Sequence, residues 1–199
     1  MLVHLRPALV LFVLFSVLTG LVYPLAMTGI AQLVFPAQAD GSLIEKDGKV
    51  IGSSLIGQNF TDTKYFWPRP SATTTTDPND PTKSVAAPYN ASSSSGSNKG
   101  PTAKDLMERV AGDVAKLKES VGDKPIPADA VTTSGSGLDP HISPAYAALQ
   151  VPRVAKARGL GEDQVRAIVA RHTEERTLGV LGESTVNVLA INLDLDAVK

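Results

Sequence analysis

Apolar residues run almost unbroken from Ala8 to Phe35, and no charged residue occurs between Pro7 and Ala39. As a helix that run would be about 42 Å long against a hydrocarbon core of about 30 Å, so the pattern predicts a single membrane span. Pro24 and Gly29 interrupt it, which predicts regular helix from Ala8 to about Tyr23 and a looser continuation to Phe35. A cleaved export signal is the alternative, because Ala37-Gln38-Ala39 before Asp40 has the small-x-small form of a cleavage site. An apolar run of about 28 residues exceeds the usual length of such signals and favours an anchor. Basic groups at the near end (the amino terminus and Arg6) face Asp40, Glu45, Lys46 and Asp47 at the far end. That asymmetry predicts a cytoplasmic N-terminus and an extracytoplasmic remainder. The expected division is therefore residues 1–39, a cytoplasmic tip and one span, and residues 40–199, one soluble domain.

Beyond Asp40 the apolar positions become short and periodic. Two brief apolar stretches flank Asp47-Gly48 within 42–52, and Asp-Gly supplies the positive φ angles of a tight hairpin turn. Tyr65, Phe66 and Trp67 sit together beside Pro68 and Pro70, a pattern expected to anchor an irregular segment in a core. Residues 72–101 are Thr, Ser, Asn, Asp, Gly and Pro with few large apolar residues, and read as a long polar loop. Thr102 with Asp105 forms a capping-box-like start for a helix carrying Leu106, Val110, Val114, Leu117 and Val121, stopped at Gly122. Residues 129–133 read as a short strand. Ser143 and Pro144 open a helix that Pro152 should interrupt, with an offset helix continuing to Gly159. Glu162 and Asp163 open another, and residues 185–193, rich in β-branched and apolar side chains, read as a terminal strand. The fold class expected is α+β: one transmembrane helix, then a mixed domain with an N-terminal hairpin, three to four helices and a C-terminal strand.

Composition narrows the chemistry. Cysteine is absent, which excludes disulfides and thiolate nucleophiles. A net charge of −1 with 5% aromatic residues gives neither a basic stripe nor a stacking platform, so nucleic acid is not an expected partner. The three histidines, His4, His141 and His172, have no partner at metal-ligand spacing, and no metal site is expected. Asp139-Pro140-His141 invites an acid–base reading, yet Asp and Pro are strong turn formers and a structural role is favoured. Ser134 lacks the Gly-x-Ser-x-Gly elbow, and no phosphate-binding Gly-x-x-x-x-Gly-Lys motif occurs. The domain is not expected to be an enzyme by itself.

Several stretches read together resemble a known family. They are Gly52-Ser-Ser-Leu-Ile-Gly-Gln-Asn-Phe60, Tyr65-Phe-Trp-Pro-Arg-Pro-Ser-Ala72, Gly96-Ser-Asn98, Ser134-Gly-Ser-Gly-Leu-Asp-Pro-His-Ile142, Gln150-Val-Pro-Arg-Val-Ala-Lys-Ala-Arg158 and Val186-Asn-Val-Leu189. In this order, after one N-terminal span, they resemble the C subunit of the Kdp potassium-transporting ATPase. Ser95 and Lys99 depart from the pattern, which has glycine and an apolar residue there.

The resemblance implies a non-catalytic subunit of a high-affinity potassium uptake pump in the inner (plasma) membrane. Its implied partners are a channel-like A subunit, a P-type ATPase B subunit and a small F subunit. It also implies help in assembly and a catalytic-chaperone role that raises the ATP affinity of the B subunit, with ATP reached through the complex. Carried over residue by residue, the candidate partner or ligand contacts are Gln58, Asn59, Arg69, Ser71, Ser97, Asn98, Ser134, Gly135, Ser136, Gly137, Asp139, His141, Gln150, Arg153 and Arg158. In the span, Ser16, Thr19 and Gly20 form a small-residue face of the kind that packs against another membrane helix. The competing reading is an exported or membrane-anchored small-ligand-binding protein acting without a pump.

Overall fold

The N-terminal apolar run is helical to its end, with one change of winding. The computed structural model describes residues 2–198. Helix α1 (Leu2–Val17) passes through a π-helical turn, Leu18–Val22, into α2 (Tyr23–Val34). The expected loss of regular helix near Tyr23 does not occur. Pro24 has no amide hydrogen and its ring crowds the carbonyl four residues back, and the wider π turn immediately before it makes the room. There the Tyr23 amide donates to Leu18 O, five residues back. Residues Val3–Val34 thus form a 32-residue helix whose most apolar 18-residue stretch has a mean hydropathy of 2.3, long and apolar enough to cross a membrane.

The described chain falls into two compact units that divide between Ser53 and Ser54. The first continues from α2 through a single turn, α3 (Pro36–Ala39), to an antiparallel hairpin of β1 (Leu43–Lys46) and β2 (Lys49–Ser53). Asp47 (φ 53°) and Gly48 (φ 72°) both adopt positive φ at its turn, as the Asp-Gly pair predicts.

The second unit opens with an irregular aromatic segment and then departs from expectation. Within the polar stretch 72–101, β3 (Thr74–Asp77) and β4 (Asp80–Ala86) pair as an antiparallel hairpin. Three consecutive β-branched threonines supply the strand, and the Asp77 carboxylate accepts from Asn79 N (2.8 Å) to close the turn. Helix α4 (Lys104–Val121) starts one residue after Ala103, which makes no side-chain cap; Thr102 does not fill that position. Gly122 ends it at φ 72°, as expected.

Residues 129–133 are not a strand. A 3₁₀ turn, Ala128–Ala130, follows Pro127 and aims Asp129 at Ser143, whose amide (2.7 Å) and hydroxyl (2.9 Å) both donate to that carboxylate. Strand β5 (His141–Ile142) leads into α5 (Pro144–Arg158), where Ser143 Oγ accepts from Tyr146 N at 3.0 Å in the expected N-cap. α5 runs through Pro152 without a break. The carbonyl that Pro152 cannot bond belongs to Ala148 on the exposed side, while buried Val151, Val154 and Ala155 hold the next turn to the core.

Helix α6 (Glu162–Arg171) and strand β6 (Thr173–Glu174) follow, then β7 (Thr185–Asn187) and α7 (Val188–Ala197). The expected nine-residue terminal strand is thus three residues of strand and a helix. Asn187 Oδ1 accepts from Ala190 N (3.0 Å) and caps that helix, which buries Val188, Leu189, Ile191, Asn192 and Leu195 at helical spacing. Strand β7 is the middle of a three-stranded antiparallel sheet, ordered β5-β7-β6, with Ile142 opposite Val186 and Thr173 opposite Val186 on the other edge. The core lies between this sheet and α5, α6 and α7, and Phe66, Val154, Val165, Val186, Ile191 and Leu195 are wholly buried in it.

Candidate functional site

The candidate residues gather into two polar clusters in the second unit. The first fixes the aromatic segment. A lone irregular strand buried against helices leaves its amides and carbonyls without sheet partners, and such groups are costly unless bonded. Two buried carboxamides solve this. Gln150, from α5, accepts from Trp67 N (2.7 Å) and donates to Trp67 O (3.1 Å). Asn192, from α7, does the same for Phe66, accepting at 2.8 Å and donating at 3.0 Å. Each amide therefore reads one residue's backbone as a neighbouring strand would.

Two arginines extend the clamp. Arg153 donates to Tyr65 O (3.0 Å), and its guanidinium lies 3.7 Å from the centre of the Trp67 ring. Burial lowers its pKa to about 10. Arg158 donates to Lys64 O (2.7 Å), to Leu195 O (2.9 Å) and to Asp196 (2.8 Å), which also accepts from the Tyr65 hydroxyl (2.9 Å). Asn192 had no signal as a site residue while 185–193 read as strand, and Asp196 lies three residues beyond that stretch. The helical spacing of Val188, Ile191, Asn192 and Leu195 is the signal that places them.

The second cluster is a seam where residues 93–98 meet residues 134–139. Ser95 N (2.9 Å) and Ser94 Oγ (3.0 Å) donate to Ser136 O, and Gly137 N donates to the buried Ser134 Oγ at 2.8 Å. Ser71 Oγ donates to Gly137 O (2.7 Å) and accepts from Tyr89 N (3.0 Å). Ser97 Oγ meets Thr133 Oγ1 at 3.2 Å. The glycines matter where backbones touch. Gly137 has φ 68°, and a Cβ there would stand 2.6 Å from Ser95 O and from the Thr73 methyl; one on Gly96 would stand 2.8 Å from Gly135 O. Gly135 itself faces open space.

A charged triad borders the seam. Arg69 meets Asp139 at 3.1 Å and donates to Thr133 O at 3.3 Å. The other Asp139 oxygen accepts from His141 N (3.0 Å) and lies 3.5 Å from His141 Nδ1. Burial by itself would raise the Asp139 pKa, but the bonds from His141 and Arg69 outweigh it and hold the carboxyl below the usual range. His141 is raised by the Asp139 bond against the opposing effect of its burial. Tyr89, absent from the sequence-based set, closes the triad by donating to Arg69 O at 2.8 Å, and burial pushes its phenol up.

Of the candidate contacts, Gln150, Arg153 and Arg158 thus lie in the clamp, and Ser71, Ser97, Ser134, Gly135, Ser136 and Gly137 in the seam. Arg69, Asp139 and His141 form the triad. Gln58 is half-buried beside Gly57, whose amide donates to Leu138 O (2.8 Å). Asn59 and Asn98 are exposed, Asn98 with φ 48° and its amide on Gly96 O (3.3 Å). Asn59, Arg69, Ser71 and Ser97 also line a cleft of about 880 Å³ against α4. Among the described residues no group of three or more His, Cys, Asp or Glu could hold a metal ion. In the first unit, Thr19 Oγ1 donates to Phe15 O (2.7 Å), while Ser16 and Gly20 lie exposed on the helix.

Comparison with known proteins agrees with the resemblance. The family profile KdpC, "K+-transporting ATPase, c chain", matches residues 5–197. A potassium-transporting ATPase KdpC subunit of Rhodopseudomonas palustris (strain BisB18) is 60% identical over 199 residues, covering 100% of both chains. The KdpC subunit of Bradyrhizobium diazoefficiens is 62% identical over 196 residues, covering 98% of each, and that of Methylorubrum populi is 60% identical over 196 residues with the same coverage. With its N-terminal apolar helix, its clamped aromatic segment and these full-length likenesses, the chain belongs to the KdpC family of potassium-transporting ATPase subunits.

Proposed function

We propose that the protein is the single-span accessory subunit of a potassium uptake pump in the inner membrane, working from the extracytoplasmic side on its P-type ATPase partner. It supports assembly with a channel-like A subunit, the ATPase B subunit and a small F subunit. It raises the ATP affinity of the B subunit as a catalytic chaperone. The observation that carries this reading is where the candidate polar side chains are directed. Gln150, Asn192, Arg153 and Arg158 bond the backbone of their own domain, which makes a rigid body suited to docking. The charge asymmetry about the span supports an outside position for that body, away from the ATP pool.

Coupling then runs by linkage. Contact with an outer face or a neighbouring membrane helix favours the conformation of the pump that binds ATP more tightly, without nucleotide entering this domain. Small residues at Ser16 and Gly20 offer a helix-packing face for that contact.

The test compares the ATP dependence of potassium-stimulated ATPase activity in complexes carrying the full chain or only its residues 1–39. Loss of ATP affinity with the short chain supports coupling through the soluble domain. Full retention of affinity overturns it. Replacing Gly20 with Leu should weaken co-purification with the channel-like subunit, and unchanged recovery would reduce the span to an anchor.

A further inference from the structure

Helix α4 is amphipathic, yet only part of its apolar face is used. Leu117 is buried, and Val110, Val114 and Val121 pack against the core, whereas Leu106 in the first turns lines the cleft without joining that cluster. The other wall is the segment that the clamp holds rigid, including Trp67, Pro68 and Pro70. The resulting cleft, about 880 Å³, has the volume of a small-molecule site.

Its charges are unequal. Four basic side chains, Arg69, Lys99, Arg109 and Lys116, line it against two carboxylates, Asp105 and Asp113. Three of the four cations are already paired, Lys99 with Asp105, Arg109 with Asp113 and Arg69 with Asp139 from outside the lining, which leaves Lys116 as the cleft's unpaired cation among the described residues. The two arginines each keep a nitrogen, Nε of Arg69 and Nη2 of Arg109, that is shut off from solvent and has no acceptor among the described residues. Buried donors without acceptors are rare because desolvating one costs about 1–3 kcal/mol. Two of them belong to residues that line two walls of one cleft, the nitrogens themselves lying behind its surface. The Arg69 and Arg109 side chains remain 24% and 32% exposed respectively, so each can be reached from the cleft.

We propose that this cleft binds a small amphipathic anion, its apolar or planar body lying against Trp67, Leu106 and the prolines and its carboxylate or phosphate held between Arg69 and Arg109. The fork geometry of arginine suits a planar or tetrahedral oxyanion and gives a neutral analogue no charge-assisted bond. The proposal stands apart from the coupling mechanism above, since it concerns a ligand of the domain rather than its effect on the pump.

The full chain in lipid nanodiscs, with arginine side chains labelled for Nε–Hε NMR, would be titrated with phenylacetate and phenyl phosphate. Inorganic phosphate and 2-phenylethanol serve as the charge-only and body-only probes. At least one aryl anion should give saturable shifts at Arg69 and Arg109, with affinity about tenfold or more above both partial probes. Arg109→Gln should weaken that binding about tenfold while Arg69 keeps its free-state signal, because Arg109 bonds only Asp113 among the described residues. Leu106→Trp, which fills the cleft from a position outside the core, should weaken it independently. Absence of saturable shifts up to about 10 mM overturns the proposal, as does equal binding of 2-phenylethanol or unchanged binding to both variants.

Discussion

The aromatic clamp and the serine–glycine seam both display the residue types of a binding site, yet they are held in different ways. In the clamp, side chains from α5 and α7 reach a backbone that has no sheet partner, so chemically specific groups do the holding. In the seam, two backbones approach until only hydrogen fits between them, so the absence of a side chain does it. A polar, motif-rich sequence can therefore encode two kinds of scaffold, and substitution separates them.

The largest effect should come from the clamp. Gln150→Leu or Asn192→Leu leaves a buried amide and carbonyl of Trp67 or Phe66 unpaired, and should destabilise the domain by about 2–4 kcal/mol in chemical denaturation. A loss below about 1 kcal/mol would mean that the aromatic segment is held by burial alone. Next comes Gly137→Ala. A positive φ and a Cβ 2.6 Å from Ser95 O predict a cost of about 2–3 kcal/mol, while Gly135→Ala, two residues away in open space, should stay within about 0.5 kcal/mol. Equal costs at the two positions would dismiss close approach as the seam's principle.

A smaller, pH-dependent effect should come from the triad. The lowered Asp139 pKa contributes stability above its unfolded value of about 3.9, and loses it as pH falls through the lower folded value. The raised His141 pKa contributes fully below about 6.5 and loses it as pH rises through the folded value. The difference in Tm between the parent protein and Asp139→Asn should therefore be widest at about pH 5–6 and narrow on both sides. A difference independent of pH would assign Asp139 a turn-forming role without charge. The smallest effect is expected from Ser136→Ala, which loses the side-chain acceptor for Leu138 N on an exposed loop and should change stability by under about 1 kcal/mol.

The same contrast explains what the sequence revealed. The span, the Asp-Gly hairpin, the Ser143 cap and the stop at Gly122 are local, and each rests on a dihedral preference or a bond within a few residues. Missed features were settled by burial against distant residues or masked by their neighbours. The run from Val188 to Leu193 has strand propensity, but burial of Ile191, Asn192 and Leu195 in the core makes it a helix, and the local Asn187 cap was outweighed by the β-branched run. Pro152 stays inside α5 because the following turn is buried, a fact with no local signal. The threonines of 73–76 carried a strand signal that the surrounding Ser, Asn and Gly obscured. For the site, the family pattern gave Gln150 and Arg158 but neither Asn192 nor Tyr89, whose partners lie 126 and 20 residues away.

The central functional claim, that this rigid domain acts on the pump from outside the cytoplasm, turns on one measurement. Because the chain contains no cysteine, Glu119→Cys on the exposed face of α4 introduces a single reporter thiol. Labelling by a membrane-impermeant maleimide in cells with an opened outer barrier and an intact inner membrane is the predicted result. Protection that ends only when the inner membrane is permeabilised, with the denatured protein labelling fully, would contradict it and place the domain on the nucleotide side.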